Sequence, residues 1–336
     1  MTASPRILVC ALNWLGDAIL AMPALQALRE HHAGADITLL TKPPLAPLWA
    51  MHDVPDRVLS LPAAGGSLKP VVRSLRELEI EVSYILPHSF RSALPPFLAR
   101  IPRRIGLPGH FPRDFLLTEV RPPAAGPGRT HQVFEILDLF FPGESRRTYA
   151  PPRLVVPPGT LDRMRARLAA LPRPWISILP GAARGPSKQW PAERYAEAAA
   201  ALVARTGGSA IALGTKSEQA PCRQVAAAAA PNGLDLSGAT TMEELSAVLS
   251  LSAAVLCNDS GGMHLAAALG APLAALYGIT NPGQTGPLGA HIRILQHSER
   301  RERDIPRRSA EAQKALRAIS VPEAVQAVLD LLPPAS

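Results

Sequence analysis

The sequence predicts an α/β protein built from two Rossmann-like, doubly wound domains that face each other across an interdomain cleft. Three observations carry this. The chain has 336 residues, about twice the usual length of one domain. Both halves alternate short apolar runs with helical patterns, the grammar of a parallel sheet. Between them lies a proline-rich stretch, residues 150–158, holding Pro151-Pro152 and Pro157-Pro158. The predicted domains are therefore 1–150 and 151–336.

The first half opens with an apolar run over 7–12, read as a strand. A turn-like Asn13-Trp14-Leu15-Gly16-Asp17 follows, then a helical pattern from 18 to about 31 and a second strand over 36–41. Strand, loop, helix, strand is the βαβ unit. Further strands are expected over 57–61 and 82–86. The second half repeats the pattern, with strands over 175–179, 209–213, 254–258 and 273–277. Its helices are expected over 191–205, 242–252 and 262–269, the middle one behind a capping box of Thr240 and Glu243. A last helix, about 321–333, is a candidate to pack back toward the N-terminal domain.

Composition narrows the function class. Hydrophobic residues make up 47%, enough for packed cores. Of the 36 prolines twelve form six adjacent pairs, which punctuate elements and form no polyproline tract. No signal-peptide core is visible near the N-terminus, and no apolar run reaches the roughly 18–20 residues of a spanning helix. Cys10, Cys222 and Cys257 lie in or beside apolar segments without metal-ligand spacing, as buried free thiols would in a reducing compartment. The expectation is a cytoplasmic protein. A net charge of +8 favours an anionic partner. With aromatics at only 4% and no sustained basic stripe, nucleic acid fits less well than a phosphorylated ligand or an anionic membrane face.

Four loops can carry chemistry. In the first, Gly16 suits a tight turn, and Asp17 is either a helix cap or a general base at the mouth of the cleft. The second runs from Pro180 to Trp190; its small residues Gly181, Ala182 and Ala183 would let amides face a ligand, and Lys188 offers a point charge. An ordinary solvated loop is the competing reading. The third, Asn258-Asp259-Ser260-Gly261-Gly262-Met263-His264, follows a buried strand and opens a helix. Free amides there make a ready anion site, with His264 in the first turn. The fourth, Gly214-Thr215-Lys216-Ser217-Glu218, puts Glu218 either on ribose hydroxyls or at a helix start. The sequence contains no Asp-x-Asp pair to hold a metal-bound diphosphate, so basic side chains and helix dipoles would have to stabilise a leaving one.

At these loops the sequence resembles glycosyltransferase family 9, the ADP-heptose:lipopolysaccharide heptosyltransferases, and within it the heptosyltransferase II branch. NWLGDAILAMPALQALRE (13–30), LPHSFRSALPPFLARIPRRIG (86–106), PGAARGPSKQWP (180–191) and NDSGGMHLAAALGAPLAALYG (258–278) match the family pattern in order. The resemblance implies the two-domain fold called GT-B and inverting transfer without a metal or cofactor. It implies ADP-heptose as donor and heptosyl-Kdo2-lipid A, an anionic lipid-linked saccharide, as acceptor. It implies Asp17 as the base. Gly16, Gly181, Ser187, Lys188, Gly214, Thr215, Glu218, Asp259, Ser260, Gly261, Gly262 and His264 would serve the donor. Asn13, Trp14, His88, Ser89 and Arg91 would serve the acceptor, with Arg103 and Arg104 as further basic candidates.

His88 stands where asparagine is common in that branch. Residues 297–312 are arginine-rich where many relatives carry cysteines; they read as a mobile surface loop, or less favourably as a face for the anionic inner leaflet of the inner membrane. Two alternatives stay open: a family 9 transferase with other sugars, and a catalytically idle nucleotide-sugar-binding protein.

Overall fold

Central strands of a parallel sheet are covered on both faces and must be apolar along their whole length. Past its leading arginine the run RILVC meets that demand, and those four residues are buried in β1, Arg6–Cys10. A computed structural model describes residues 4–63, 65–126, 129–144 and 148–333. The chain divides into two units, Met1–Val155 and Val156–Ser336.

The first unit adds β2 (Asp36–Thr41), β3 (Arg57–Ser60), β4 (Val82–Ile85), β5 (Arg103–Gly106) and β6 (Glu119–Val120). They form one parallel sheet in the order β3-β2-β1-β4-β5-β6. The second unit holds β7 (Trp175–Leu179), β8 (Ser209–Ala212), β9 (Gly233–Asp235), β10 (Ala254–Asn258), β11 (Leu273–Leu276) and β12 (Ile292–Leu295). Their order is β12-β11-β10-β7-β8-β9, again all parallel. Counted within each unit, both sheets have the doubly wound order 3-2-1-4-5-6.

The Leu15–His31 helix is buried without a break from Ala18 to Leu28, because its sequence is apolar all round and not striped. The one polar residue in that stretch, Gln26, is satisfied: Nε2 donates to the Pro151 carbonyl at 3.0 Å and Oε1 accepts from Arg153 N at 2.9 Å. In the second unit, Ile176, Ile178, Leu202, Leu256 and Leu276 form the core with Trp190 and Tyr195. The last helix, Val321–Leu329, packs on the Ala192–Thr206 helix and on β10 and β11 of its own unit.

Several expectations need correction. The first helix starts at Leu15, three residues early, so Gly16 is a helical residue of the first turn and makes no tight turn. The capping box before the Met242–Leu251 helix is Thr241 with Glu244, one residue later than expected. β5, β6, β9 and β12 were not expected as strands. They are two to four residues long and lie toward the sheet edges, where polar residues such as Arg103 and Arg293 are tolerated.

Candidate functional site

In each sheet the strand order reverses between two neighbouring strands, β1 and β4 in the first unit and β7 and β10 in the second. Loops leaving the carboxyl ends of such strands diverge to opposite faces and open a place for a ligand. The four motifs singled out above that follow these strands are Asn13 to Asp17 after β1, His88 to Arg91 after β4, Gly181 to Lys188 after β7 and Asp259 to His264 after β10.

In the second unit the base of the β7 loop is stapled by a residue that sequence reasoning did not select. Asn258, fully buried, accepts from Trp190 N at 2.9 Å and donates Nδ2 to the carbonyls of Pro180 and Gly181 at 2.8 and 3.3 Å. One amide thus ties both ends of the loop to β10. Next in the chain, Asp259 Oδ2 takes two partners: Lys188 Nζ at 2.6 Å and Thr280 Oγ1 at 2.6 Å. The Lys188 and Asp259 side chains are only 12% and 5% exposed. A nearly buried ion pair is tolerated only when further hydrogen bonds complete it, and Thr280 supplies one. Gln296 holds Thr280 by donating Nε2 to the carbonyls of Gly278 and Thr280, at 2.7 and 2.8 Å. Thr280 lies just past the last motif and carried no signal; only a buried hydroxyl beside a carboxylate betrays it.

Asp259 is not the helix cap: the Gly261–Ala268 helix has Ser260 in the N-cap position, without a side-chain cap bond. Its first amides therefore remain available to an anion. Gly262 lets this helix end approach β7 closely, since a Cβ there would lie 2.3 Å from Leu179 Cδ2. His264 is buried in the helix's first turns.

A second grouping joins Gly181, Gly214, Thr215 and Glu218. Glu218 Oε2 accepts from Thr215 N at 2.7 Å and Thr215 Oγ1 at 2.8 Å, a capping box. Its carboxyl group rests on Gly181, where a Cβ would come within 2.0 Å of Oε1. One carboxylate oxygen is thus held in the helix start, which realises the structural alternative for Glu218, and the other lies against the β7 loop.

Ser187 does not join these groups. Its hydroxyl donates to the Pro306 carbonyl and accepts from Ser309 N, both at 2.7 Å. It anchors residues 306–309 of the arginine-rich segment. Arg184 pairs with Asp304 at 3.1 Å, and Glu302 exchanges backbone hydrogen bonds with Ile279 and Asn281, both at 2.8 Å. Residues 302–309 are thereby fastened to the loops that carry Lys188 and Thr280.

In the first unit Asp17 is half-buried in the first turn of its helix, whose N-cap is Trp14. Asp17 is therefore not the cap residue, though its charge suits the helix start. Asn13 is half-buried and Trp14 is 55% exposed. His88 Nδ1 lies 3.0 Å from the Pro108 carbonyl. Ser89 is the N-cap of the Phe90–Leu98 helix and donates to Ser92 Oγ at 3.1 Å. Arg91 is exposed. Arg104 is not placed as a free cation: it donates to the carbonyls of Leu116 and Ile101 and covers the Phe97 ring at 5.5 Å. Arg103 pairs at the surface with Glu119, 3.4 Å away. Gly16 also belongs to this unit, and the other donor candidates belong to the second.

The three cysteines are free and buried. Burial pushes the Cys10 and Cys222 thiols up to about 12 and raises Cys257 still further, so none is poised as a nucleophile. Among the described residues no three of His, Cys, Asp and Glu gather as a metal set, and no helix is long and apolar enough to cross a membrane.

Residues 69–315 match the family model "Glycosyltransferase family 9 (heptosyltransferase)". The chain is 30% identical to lipopolysaccharide heptosyltransferase 2 of Escherichia coli over 310 residues, covering 87% of this chain and 88% of that protein. It is 32% identical to lipooligosaccharide heptosyltransferase 2 of Haemophilus influenzae over 311 residues, with the same coverage. Among solved structures, E. coli ADP-heptose lps heptosyltransferase II superposes with a TM-score of 0.84 at 27% identity, over 97% of this chain and 98% of that one. A family 9 glycosyl transferase from Veillonella parvula shares the fold, with a TM-score of 0.85 at 22% identity over 97% of each chain.

Proposed function

Because the chain belongs to glycosyltransferase family 9, we propose that it transfers heptose from ADP-heptose to heptosyl-Kdo2-lipid A, with inversion and without a metal ion, at the cytoplasmic face of the inner membrane. The observation that carries the donor half of this reading is the Lys188–Asp259–Thr280 cluster beside the open start of the Gly261–Ala268 helix. A lysine held in place and a row of free amides suit a diphosphate. Glu218 and the glycines beside it are the candidates for the ribose end of ADP.

The acceptor reading rests on Asn13, Trp14, His88, Ser89 and Arg91, at the switch point of the first unit. Arg103 is a weaker candidate, and Arg104 is withdrawn because its guanidinium is committed within the fold. In the proposed reaction Asp17 takes the proton of the attacking acceptor hydroxyl. The oxygen bonds to the anomeric carbon on the face opposite the diphosphate, and the anomeric C–O bond breaks with its electron pair leaving on ADP. Lys188 and the helix start stabilise the charge that develops on the leaving group.

The test is product mass spectrometry after mixing the protein with ADP-heptose and heptosyl-Kdo2-lipid A, with and without EDTA. The expected result is a mass gain of one heptose that EDTA does not abolish. Asp17→Asn should lower turnover by roughly 10²–10⁴-fold, the usual contribution of a general base, while ADP affinity measured by calorimetry stays within about twofold. Binding of ADP-heptose without transfer would remove the acceptor assignment. Failure to bind it would remove the donor assignment, and full activity of Asp17→Asn would remove the base.

A further inference from the structure

The first unit carries an apolar cluster that the chemistry above does not use. Phe111 is 85% exposed and Phe115 81%, and their rings meet edge to face with centroids 6.2 Å apart. Phe97 and Leu98, also exposed, end the Phe90–Leu98 helix, which packs on the 3-10 turn Arg113–Leu116 that carries Phe115. Arg104 links the two parts, stacking over Phe97 while donating Nε to the Leu116 carbonyl at 2.7 Å. Single exposed apolar residues are common on soluble proteins, but two adjacent phenylalanines held almost wholly in water mark a surface that something covers.

The mount of this pair is built firmly. Arg113, 1% exposed, sends its guanidinium inward to the carbonyls of Leu107 and Ile85 and pairs with Asp114 at 2.8 Å. Asp114 in turn accepts from Gly109 N at 3.0 Å. The buried polar framework presents the two rings outward, where otherwise they could fold back.

Charge identifies the covering partner. Between residues 90 and 121 the chain has six arginines against Asp114 and Glu119, and both carboxylates are already paired with arginine. Arg103, Arg113 and Arg121 share those two carboxylates, which leaves the segment with a positive excess. Exposed aromatics in such a segment suit the interface of an anionic bilayer, where rings enter the headgroup region and basic side chains meet phosphates. We propose that Phe111 and Phe115, in a segment that also carries Arg100, Arg103 and His110, dock this unit onto an anionic phospholipid membrane. The His88–Pro108 contact joins the loop before Phe111 to the end of β4, so the surface adjoins the residues assigned to a lipid-anchored acceptor. In its purpose, though not in its test, the proposal rests on the transferase reading.

The test is flotation of the full chain with vesicles of phosphatidylcholine alone or mixed with phosphatidylglycerol. Binding should be strong only to the anionic vesicles and should weaken with salt. The Phe111→Ser/Phe115→Ser double variant should lose at least roughly tenfold in vesicle affinity, since each ring removed takes away the apolar part of interfacial binding. Arg100→Glu should also lower it. ADP binding and transfer to a deacylated, water-soluble acceptor should be unchanged in both variants. Phe111→Trp should keep binding and shift its emission to the blue on anionic vesicles. Undiminished binding by the double variant, or no shift from the tryptophan, overturns the proposal. So does a wild-type chain that ignores vesicles and instead self-associates through these rings in ultracentrifugation. Because vesicle binding is read without turnover, these outcomes stand whether or not heptose transfer is found.

Discussion

Lys188→Met is the substitution that separates the structural and ligand-binding roles of the buried ion pair. Lys188 and Asp259 are 12% and 5% exposed and meet at 2.6 Å. Removing one member of such a pair strands the other charge, at a cost of about 3–5 kcal/mol. Thr280 continues to donate to the same carboxylate oxygen, which puts the expectation at the lower end, about 3 kcal/mol. Adding Asp259→Asn removes the stranded charge and keeps an acceptor for Thr280, so the double variant should recover most of that stability. Nucleotide affinity should not recover. A charge-assisted hydrogen bond contributes about 1.5–3 kcal/mol, so ADP should bind roughly 10–150-fold more weakly to both variants. Urea denaturation gives the first quantity and calorimetry with ADP the second. Recovery of ADP affinity in the double variant would show that Lys188 serves only the fold. Unchanged stability in Lys188→Met would refute the account of the pair as a desolvated, mutually dependent unit.

Two further outcomes follow from particular contacts. Gly181→Ala drives a methyl group into the Glu218 carboxyl, which must leave its capping box with Thr215; a stability loss of about 1 kcal/mol and weaker ADP binding are expected, and wild-type values for both would disprove the close approach. His52 is buried against Trp49, and burial lowers its pKa from 6.5 to about 4. The unfolded chain therefore takes up this proton as pH falls through 6.5 while the folded unit does not. The stabilisation is complete above that pH and disappears by about pH 4, a change of about 3 kcal/mol. His52→Gln should flatten the denaturation profile of the first unit between pH 7 and 4.5, and a slope identical to wild type would count against burial as the cause.

What the sequence determined by itself were the features encoded within a few neighbouring residues. The central strands β1, β2, β4, β7, β10 and β11 are predominantly apolar because they are covered on both faces, and that pattern is visible without a partner. The loops that follow them show their small, polar and charged residues in the same local way, so four motifs in order pointed to one family and to the strand ends where ligands bind. Tertiary structure alone decided which of those residues meet. Asp259 finds Lys188 across 71 positions of the chain and Thr280 across 21, and Asn258 reaches Trp190 across 68. These pairings arise only when β7, β10 and β11 lie side by side, which no local periodicity records. Ser187 looked like a ligand contact and instead receives the arginine-rich segment from 119 and 122 residues away. Glu218 divides its two oxygens between a helix start and a glycine because both loops converge there. Turn and strand preferences act over a few residues, whereas the partners of a buried charge depend on strand order, and strand order belongs to the whole sheet.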